Sequence, residues 1–154
     1  MRKLKNRRRV VIVGMGFGGL NAARQLAGSD LEVLCLDRQN YHLFQPFLYQ
    51  VATATLDQEA IIYPLRALMH GWENVDFLMT EVSGVELEKR VVQTSDGAVP
   101  YDYLILAPGS VTNFFGLESV VEHAYDLKQL PDAVALRNQI LGAFEQASKE
   151  SDAA

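Results

Sequence analysis

The 154-residue sequence contains a single cysteine, Cys35, so no disulfide bond can form within the chain. This use of cysteine is typical of a reducing cytoplasm, and we expect Cys35 to be a small core residue. No apolar run approaches the roughly 18 residues that a membrane-spanning helix requires. The net charge of −5 gives no support to nucleic-acid binding. The remaining composition is ordinary for a soluble globular protein with one sizeable core.

Two further features of the sequence give little evidence about function. His42 has no cysteine, histidine or carboxylate partner at ligand spacing, so we expect a structural or surface histidine and predict no metal site. Six of residues 2–9 are basic, and we expect residues 1–9 to form a solvated arm before the first strand. Contact of this arm with anionic lipid is the alternative.

The most informative stretch is a strand followed by a glycine-rich turn. Residues 10–13 are apolar and mostly β-branched, as in a parallel strand buried on both faces. The glycines that follow match G-x-G-x-x-G, in which each glycine has a separate task. Gly14 permits the tight turn, Gly16 lets backbone approach a pyrophosphate, and Gly19 lets a helix pack close to the sheet. The N–H groups at the start of that helix are suited to a diphosphate.

A lone G-x-G-x-x-G is weak evidence, and the residues around it strengthen it. Residues 20–27 are good helix formers, with Gly28 as a C-cap. A second apolar strand, residues 31–36, ends in Asp37, which lies 18 residues after Gly19. This is near the offset at which a carboxylate accepts the ribose hydroxyls of a bound dinucleotide. The order of these elements predicts a dinucleotide-binding βαβ unit rather than a glycine-rich loop that merely packs.

The next part of the chain predicts further α/β structure. Residues 38–56 are apolar and aromatic without a clean period, which indicates an ordered loop or irregular helix. Short helices are predicted at 57–62 and 64–70, followed by a third strand at 75–80. Alternating apolar and polar residues over 81–101 predict an antiparallel meander.

The last part of the chain predicts a fourth strand and a long helix. Residues 103–107 form a near-continuous apolar run that ends in a sharp turn at Pro108 and Gly109. Residues 111–130 are expected to connect this turn to a helix at 131–149. The predicted fold class is therefore α/β, a parallel sheet with a glycine-rich βαβ start and an antiparallel β-meander insertion.

Together these segments resemble type II NADH dehydrogenase, the single-subunit NADH:quinone oxidoreductase family that pumps no protons. The resemblance rests on the glycine motif and on residues 37–46, 48–52, 63–66 and 101–107. It runs along essentially all 154 residues but covers only the amino-terminal portion of the family.

The resemblance implies a Rossmann-like FAD-binding domain over residues 10–115, then a connecting segment and helix over 116–154 that lead toward an NADH domain. The resemblance implies pyrophosphate contacts at Gly14, Met15, Gly16, Phe17, Gly18 and Gly19. It implies contacts with the adenosine ribose at Asp37 and Arg38. It places the adenine side of FAD near Val82 and the flavin side near Ala107, Pro108 and Gly109. The loop over residues 41–50 is expected to lie close to the flavin ring. Two residues depart from the family pattern, and both weaken the expected fit to FAD. Pro108 replaces a usual Thr, and Met15 replaces a usual Gly or Ala.

The resemblance also implies a reaction in two halves, in which NADH passes a hydride to FAD and electrons go on to a quinone. The cofactor carries this chemistry, so we assign no catalytic side chain. A second G-x-G-x-x-G unit for NADH is missing from the sequence. We therefore expect an incomplete portion that binds FAD weakly or not at all and is inactive alone. The complete enzyme is expected in the cytoplasm, peripheral to the inner face of the plasma membrane through its C-terminal part, with a homodimer as one possible assembly.

Three alternatives stay open. Another two-domain flavoprotein, such as a sulfide:quinone reductase or a disulfide reductase, would need cysteines that residues 38–56 lack. A NAD-binding Rossmann oxidoreductase would also use Asp37, which repels a 2′-phosphate, although the neighbouring Arg38 softens that preference. A nucleotide-binding regulatory module would retain a ligand without turning it over.

Overall fold

The computed structural model describes residues 7–150, which form two compact units. The first unit contains the described residues up to 42 together with residues 63–109, and the second contains residues 43–62 and 110–150. Among the described residues, no helix combines the length and apolar character needed to cross a bilayer. The predicted division of the chain into residues 10–115 and 116–154 stays a prediction.

The elements are numbered in chain order. The strands are β1 (Arg9–Val13), β2 (Glu32–Asp37), β3 (Tyr41–Leu43), β4 (Ile62–Pro64), β5 (Val75–Met79), β6 (Val82–Glu86), β7 (Val91–Thr94), β8 (Gly97–Pro100) and β9 (Tyr103–Leu106). The α-helices are α1 (Phe17–Leu26), α2 (Leu48–Ala52), α3 (Leu65–Leu68), α4 (Glu118–His123) and α5 (Leu130–Ala147). Short 3₁₀ helices lie at Gln45–Phe47 and Gln58–Ile61, and β3 and β4 form a two-stranded sheet.

The first unit is built on a parallel sheet with the strand order β5–β2–β1–β9. In β1, Val11 pairs with Leu34 of β2 on one side and with Leu104 of β9 on the other. Because the four strands are parallel, their carboxyl ends meet at one edge of the sheet. The α/β fold class predicted from the sequence is confirmed by this sheet and by the helices between its strands.

The two central strands are buried on both faces, which explains their continuous apolar sequences. Side chains alternate along a strand, so Val10 and Ile12 pack on one face with Ala23 of α1. Val11 and Val13 pack on the other face, in a cluster that also contains Val92 of the meander. Burying one such aliphatic side chain contributes about 1.5–3 kcal/mol. The strand that carries the glycine loop is therefore a rigid part of the core.

The meander is a separate three-stranded antiparallel sheet in the order β6–β7–β8, as the alternating pattern predicted. Its second turn contains Gly97 at φ +119°, a conformation that favours glycine. Val92 and Val99 point from this sheet into the core and are buried. The meander thus covers one face of the parallel sheet.

A buried asparagine closes the connection between α1 and β2. The Asn74 amide group donates to the carbonyl oxygens of Leu26 and Leu31, at 3.0 Å each. Its oxygen accepts the Gly28 N–H at 2.8 Å, and Gly28 has a φ of +77° after the end of the helix. The predicted helix end near Gly28 is confirmed, and Asn74 satisfies backbone groups that would otherwise be buried without partners.

The second unit has its own small core. This core contains Leu48 and Val51 of α2, Ile61 at the end of the second 3₁₀ helix, and Ala133 of α5, all of them buried. A capping box begins α5, in which the Asp132 carboxylate accepts the Gln129 N–H at 2.7 Å. The predicted helix at 131–149 corresponds to α5, but burial of its apolar stripe decreases along the helix: Leu136 and Ile140 are half-buried, and Phe144 is 70% exposed.

The structure differs from the sequence prediction in several short segments. The predicted connecting segment 111–130 contains α4, and residues 62–64 form a strand where the end of one short helix and the start of the next were predicted. These segments are too short to show a period. The first strand begins at Arg9, whose N–H donates to Asp102 Oδ2 at 2.6 Å and whose guanidinium pairs with Glu32 at 2.8 Å. The rest of the predicted basic arm lies mostly in residues 1–6, outside the described residues.

We predict that Cys35 is unreactive in the folded chain. It lies fully buried in β2, and burial, with a smaller contribution from the Asp76 charge, raises its pKa from 9.0 to about 12. Because the thiolate is the reactive form, a disulfide reagent at about pH 8 should label no thiol in the native chain and one in denaturant.

The same shift predicts a pH dependence of stability. The folded-state pKa lies above the unfolded value, so the contribution of Cys35 is fully present below pH 9.0 and is lost as the pH rises toward about 12. Urea unfolding of the wild type and of Cys35→Ala over this range measures the difference in slope. Rapid labelling of the native chain, or identical slopes, would contradict the prediction.

Candidate dinucleotide-binding site

The predicted site residues lie at the carboxyl edge of the parallel sheet in the first unit. The glycine loop follows β1, Asp37 ends β2, and Ala107 follows β9. The hydrogen bonds between neighbouring strands continue to this edge. The Gly14 N–H donates to the Leu36 carbonyl at 2.8 Å, and the Ala107 N–H donates to the Val13 carbonyl at 2.8 Å. In open α/β sheets, ligands bind outside this edge.

Two glycines of the motif are enclosed by backbone. Gly14 has a φ of +90°, and a Cβ at this position would overlap the carbonyl oxygen of Ala107. A Cβ on Gly19 would overlap the carbonyl oxygen of Gly14. The turn, the helix and the end of β9 therefore approach one another more closely than any other residue would allow. These are the roles that the sequence predicted for Gly14 and Gly19.

The third glycine faces open space. No heavy atom lies within 4 Å of a Cβ built on Gly16, and residues 16–18 are exposed although the strand before them is buried. Gly16 is also the N-cap residue of α1 and has no side chain that could cap the helix. The first turn of a helix presents N–H groups and the positive end of the helix dipole. The exposed backbone of residues 16–18, called the open arc below, can therefore accommodate an anion.

The carboxylate of Asp37 is held against this loop. Its Oδ2 accepts the Met15 N–H at 2.6 Å, and its Oδ1 accepts the Gln39 N–H at 2.8 Å. Each carboxylate oxygen has a further lone pair, so both can still accept a hydroxyl. The acid predicted from its spacing thus points toward the glycine loop, with its orientation fixed from two sides.

The side chain of Met15 points away from the arc. It is 1% exposed and packs in the core with Ala23 and Leu65. The sequence analysis expected methionine, in place of a usual Gly or Ala, to weaken the fit to FAD. Its side chain occupies core space and leaves the exposed arc open.

Arg38 and Tyr41 lie beside the carboxylate. Arg38 is exposed, whereas Tyr41 is half-buried. Burial raises the pKa of Tyr41, the charge of Asp37 raises it further, and the charge of Arg38 partly opposes this. The structure thus brings the predicted pair Asp37 and Arg38 together with an aromatic hydroxyl that the analysis of spacing did not assign to the ribose end of the site.

The remaining predicted residues lie around the same edge. Val82 begins β6 and packs in the cluster that contains Val13 and Leu36, the residues directly before Gly14 and Asp37. Pro108 and Gly109 are exposed after β9, and Gly109 has a φ of +79°. Across residues 7–150, no three histidine, cysteine or acidic side chains are placed to bind a metal ion.

The sequence analysis did not predict that His42 contacts the glycine loop. Its side chain is 7% exposed, its Nδ1 lies 3.1 Å from the Met15 carbonyl oxygen, and its ring packs edge-on against Phe17 with centroids 5.1 Å apart. The two bonded residues are 27 positions apart, so no local spacing could have predicted the bond. Its membership in the distinctive segment 37–46 was the available signal.

A parallel sheet, a βα turn with two enclosed glycines and one open glycine, and an acid at the end of the second strand define a Rossmann-like dinucleotide-binding protein. Sequence comparison gives the family. The chain belongs to the pyridine nucleotide-disulphide oxidoreductases, whose family model matches residues 8–147.

The most similar curated relatives include a type II NADH:quinone oxidoreductase of Mycobacterium tuberculosis. It is 41% identical over 150 residues, and the match covers 95% of this chain and 32% of the relative. The chain therefore spans about a third of the length of this relative. The resemblance to type II NADH dehydrogenases inferred from the sequence is confirmed.

Solved structures show the same fold. NDH2 from Plasmodium falciparum, in complex with NADH, has a TM-score of 0.86 and 24% identity, covering 96% of this chain and 32% of its own. A sulfide:quinone oxidoreductase from Aquifex aeolicus has a TM-score of 0.82 and 25% identity, covering 90% of this chain and 32% of its own.

We predict that the three motif glycines respond differently to alanine. Gly14→Ala and Gly19→Ala should each lower the free energy of unfolding by about 3 kcal/mol or more, because the new Cβ overlaps backbone that cannot move aside. Gly16→Ala should cost less than about 1 kcal/mol, because its Cβ enters open space. Urea unfolding of the three variants checks this. A Gly16→Ala loss as large as that of Gly14→Ala would contradict it.

Proposed function

We propose that this chain is the FAD-binding portion of an NADH:quinone oxidoreductase. The observation that carries the proposal is the open arc at Gly16, next to enclosed glycines and beside an acid bonded to the Met15 N–H. The name of the relative that is 41% identical supports the choice of enzyme class. The activity itself belongs to proteins about three times as long.

The residues present fit the dinucleotide. The Gly14–Gly19 loop would hold the pyrophosphate, Asp37 with Arg38 would hold the adenosine ribose, Val82 would lie on the adenine side, and the Ala107–Gly109 turn on the flavin side. The bound FAD supplies two-electron transfer between NADH and a quinone. The role of this chain is to bind and orient the cofactor, and we assign no acid–base or nucleophilic side chain.

The same proposal includes the wider setting of the enzyme. Quinones dissolve in lipid, so we place the complete enzyme at the inner face of the plasma membrane, on the cytoplasmic side. We assign any peripheral membrane contact to the part of the relatives beyond the matched third. A homodimer remains a prediction.

Disulfide chemistry is not part of the proposal, although the family name refers to it. The chain has one cysteine, and Cys35 is fully buried with its pKa raised to about 12. A thiol of this kind is not a nucleophile near neutral pH. The chain itself therefore supplies no cysteine pair for a disulfide reductase.

Titration of the 154-residue chain with FAD, NAD and AMP tests the proposal. We expect FAD to bind weakly but still more tightly than NAD and AMP, with a shifted flavin absorbance and quenched flavin fluorescence. Gly16→Ala should lose affinity for FAD while it remains folded, because its Cβ occupies the arc. Preference for NAD would favour a nicotinamide-binding oxidoreductase, and tighter binding of NAD or AMP than of FAD would refute the proposal.

Asp37→Asn provides a sharper test of the ribose site. The amide offers one acceptor oxygen, so its NH₂ group faces either the Met15 or the Gln39 N–H, which is a meeting of two donors. We expect FAD affinity to fall about tenfold or more. Asp76→Asn, an exposed change on β5, is the matched control. Equal FAD affinity in the wild type and in Asp37→Asn would contradict the assignment of Asp37.

A further inference from the structure

The backbone of Met15 is bonded at both ends. Its N–H donates to Asp37 Oδ2 at 2.6 Å, and its carbonyl oxygen lies 3.1 Å from His42 Nδ1. A carbonyl oxygen can only accept a hydrogen bond, so Nδ1 of His42 carries the proton in this pair. The side chain of Met15 is meanwhile buried in the core.

The bond to His42 has a consequence for the next residue. The carbonyl of Met15 and the N–H of Gly16 belong to one planar trans peptide group and point in opposite directions. A bond that holds the carbonyl toward buried His42 therefore directs the Gly16 N–H away from the core. That direction matters because Gly16 is exposed and a Cβ there would meet no neighbouring atom.

The loop needs such a restraint. Gly16 has no side chain to limit its backbone angles, so a rotation of the peptide group between Met15 and Gly16 is less hindered than it would be before a residue with a Cβ. His42 is well placed to prevent it. Its ring is 7% exposed and packs edge-on against Phe17, the first residue of α1, and edge-to-face contact of this kind fixes the plane of the imidazole.

We propose that His42 is a positioning residue that holds the Met15–Gly16 peptide group, so that the Gly16 N–H is presented to the dinucleotide pyrophosphate. The identity of the ligand rests on the proposed function. The hold on the peptide group does not, and it can be measured in the ligand-free chain.

The test compares His42→Leu with His42→Asn in the 154-residue chain. Leucine fills the site but donates nothing. Asparagine places its amide nitrogen the same number of bonds from Cα as Nδ1, so it can restore the bond to the Met15 carbonyl. The backbone order parameter of the Gly16 amide is measured by NMR relaxation, with the Gly28 amide, held by Asn74, as the internal control.

We expect the Gly16 order parameter to fall from about 0.85 to below about 0.6 in His42→Leu and to stay high in His42→Asn, with Gly28 unchanged in both. The Kd for FAD should rise about tenfold in the leucine variant and change less than about twofold in the asparagine variant. If His42 only stabilised the fold, His42→Leu would lower the stability without lowering the Gly16 order parameter relative to that of Gly28.

A Gly16 amide that stays rigid in His42→Leu, or an asparagine variant that loses as much FAD affinity as the leucine variant, would overturn the proposal. If the wild type binds NAD or AMP more tightly than FAD while Gly16 alone loosens in His42→Leu, the hold on the peptide group is supported and the proposed function fails. If His42→Leu does not fold, ¹⁵N NMR of the wild-type imidazole decides the matter: a protonated Nδ1 supports the bond, and an unprotonated Nδ1 overturns it.

Discussion

The binding edge depends on a place where three backbone segments meet without space for a Cβ. Gly14 lies against the Ala107 carbonyl, and Gly19 lies against the Gly14 carbonyl. These contacts fix the turn after β1 relative to α1 and to the end of β9. The open face at Gly16 follows from this packing, because the loop is enclosed on its inner side and exposed over residues 16–18. The shape of the edge is thus a property of the core, present without any ligand.

Hydrogen bonds to other parts of the chain also fix the orientation of the glycine loop. A buried or enclosed backbone needs a partner for every N–H and carbonyl group. Met15 has Asp37 for its N–H and His42 for its carbonyl, while Gly14 N–H bonds to Leu36. These partners come from separate parts of the chain, so the loop is oriented by tertiary structure rather than by its own residues. Pre-organisation of this kind lowers the entropy lost when a ligand binds.

How much was predictable varies with the length and regularity of each signal. β1, α1 and β2 were predicted within one to three residues at either end, because buried parallel strands are continuously apolar and the glycine pattern marks the turn between them. The meander was predicted from alternation. The strand β4 and the exposed helix α4 were not, because β4 has only three residues and α4 buries none of its side chains, so neither element carries an apolar pattern imposed by burial. Spacing identified Asp37, but it could not identify His42, whose partner is 27 residues away.

The two departures from the family pattern differ in physical consequence. Residue 15 contributes its backbone to the loop and its side chain to the core, so methionine is accommodated where the arc itself stays open. Proline 108 is different, because it is exposed at the turn after β9 and has no N–H to donate. Core packing can compensate for the bulk of a side chain, but it cannot replace a missing backbone donor. On the proposed function, any weakening of the fit to FAD would therefore arise at the flavin end of the site and not at the pyrophosphate.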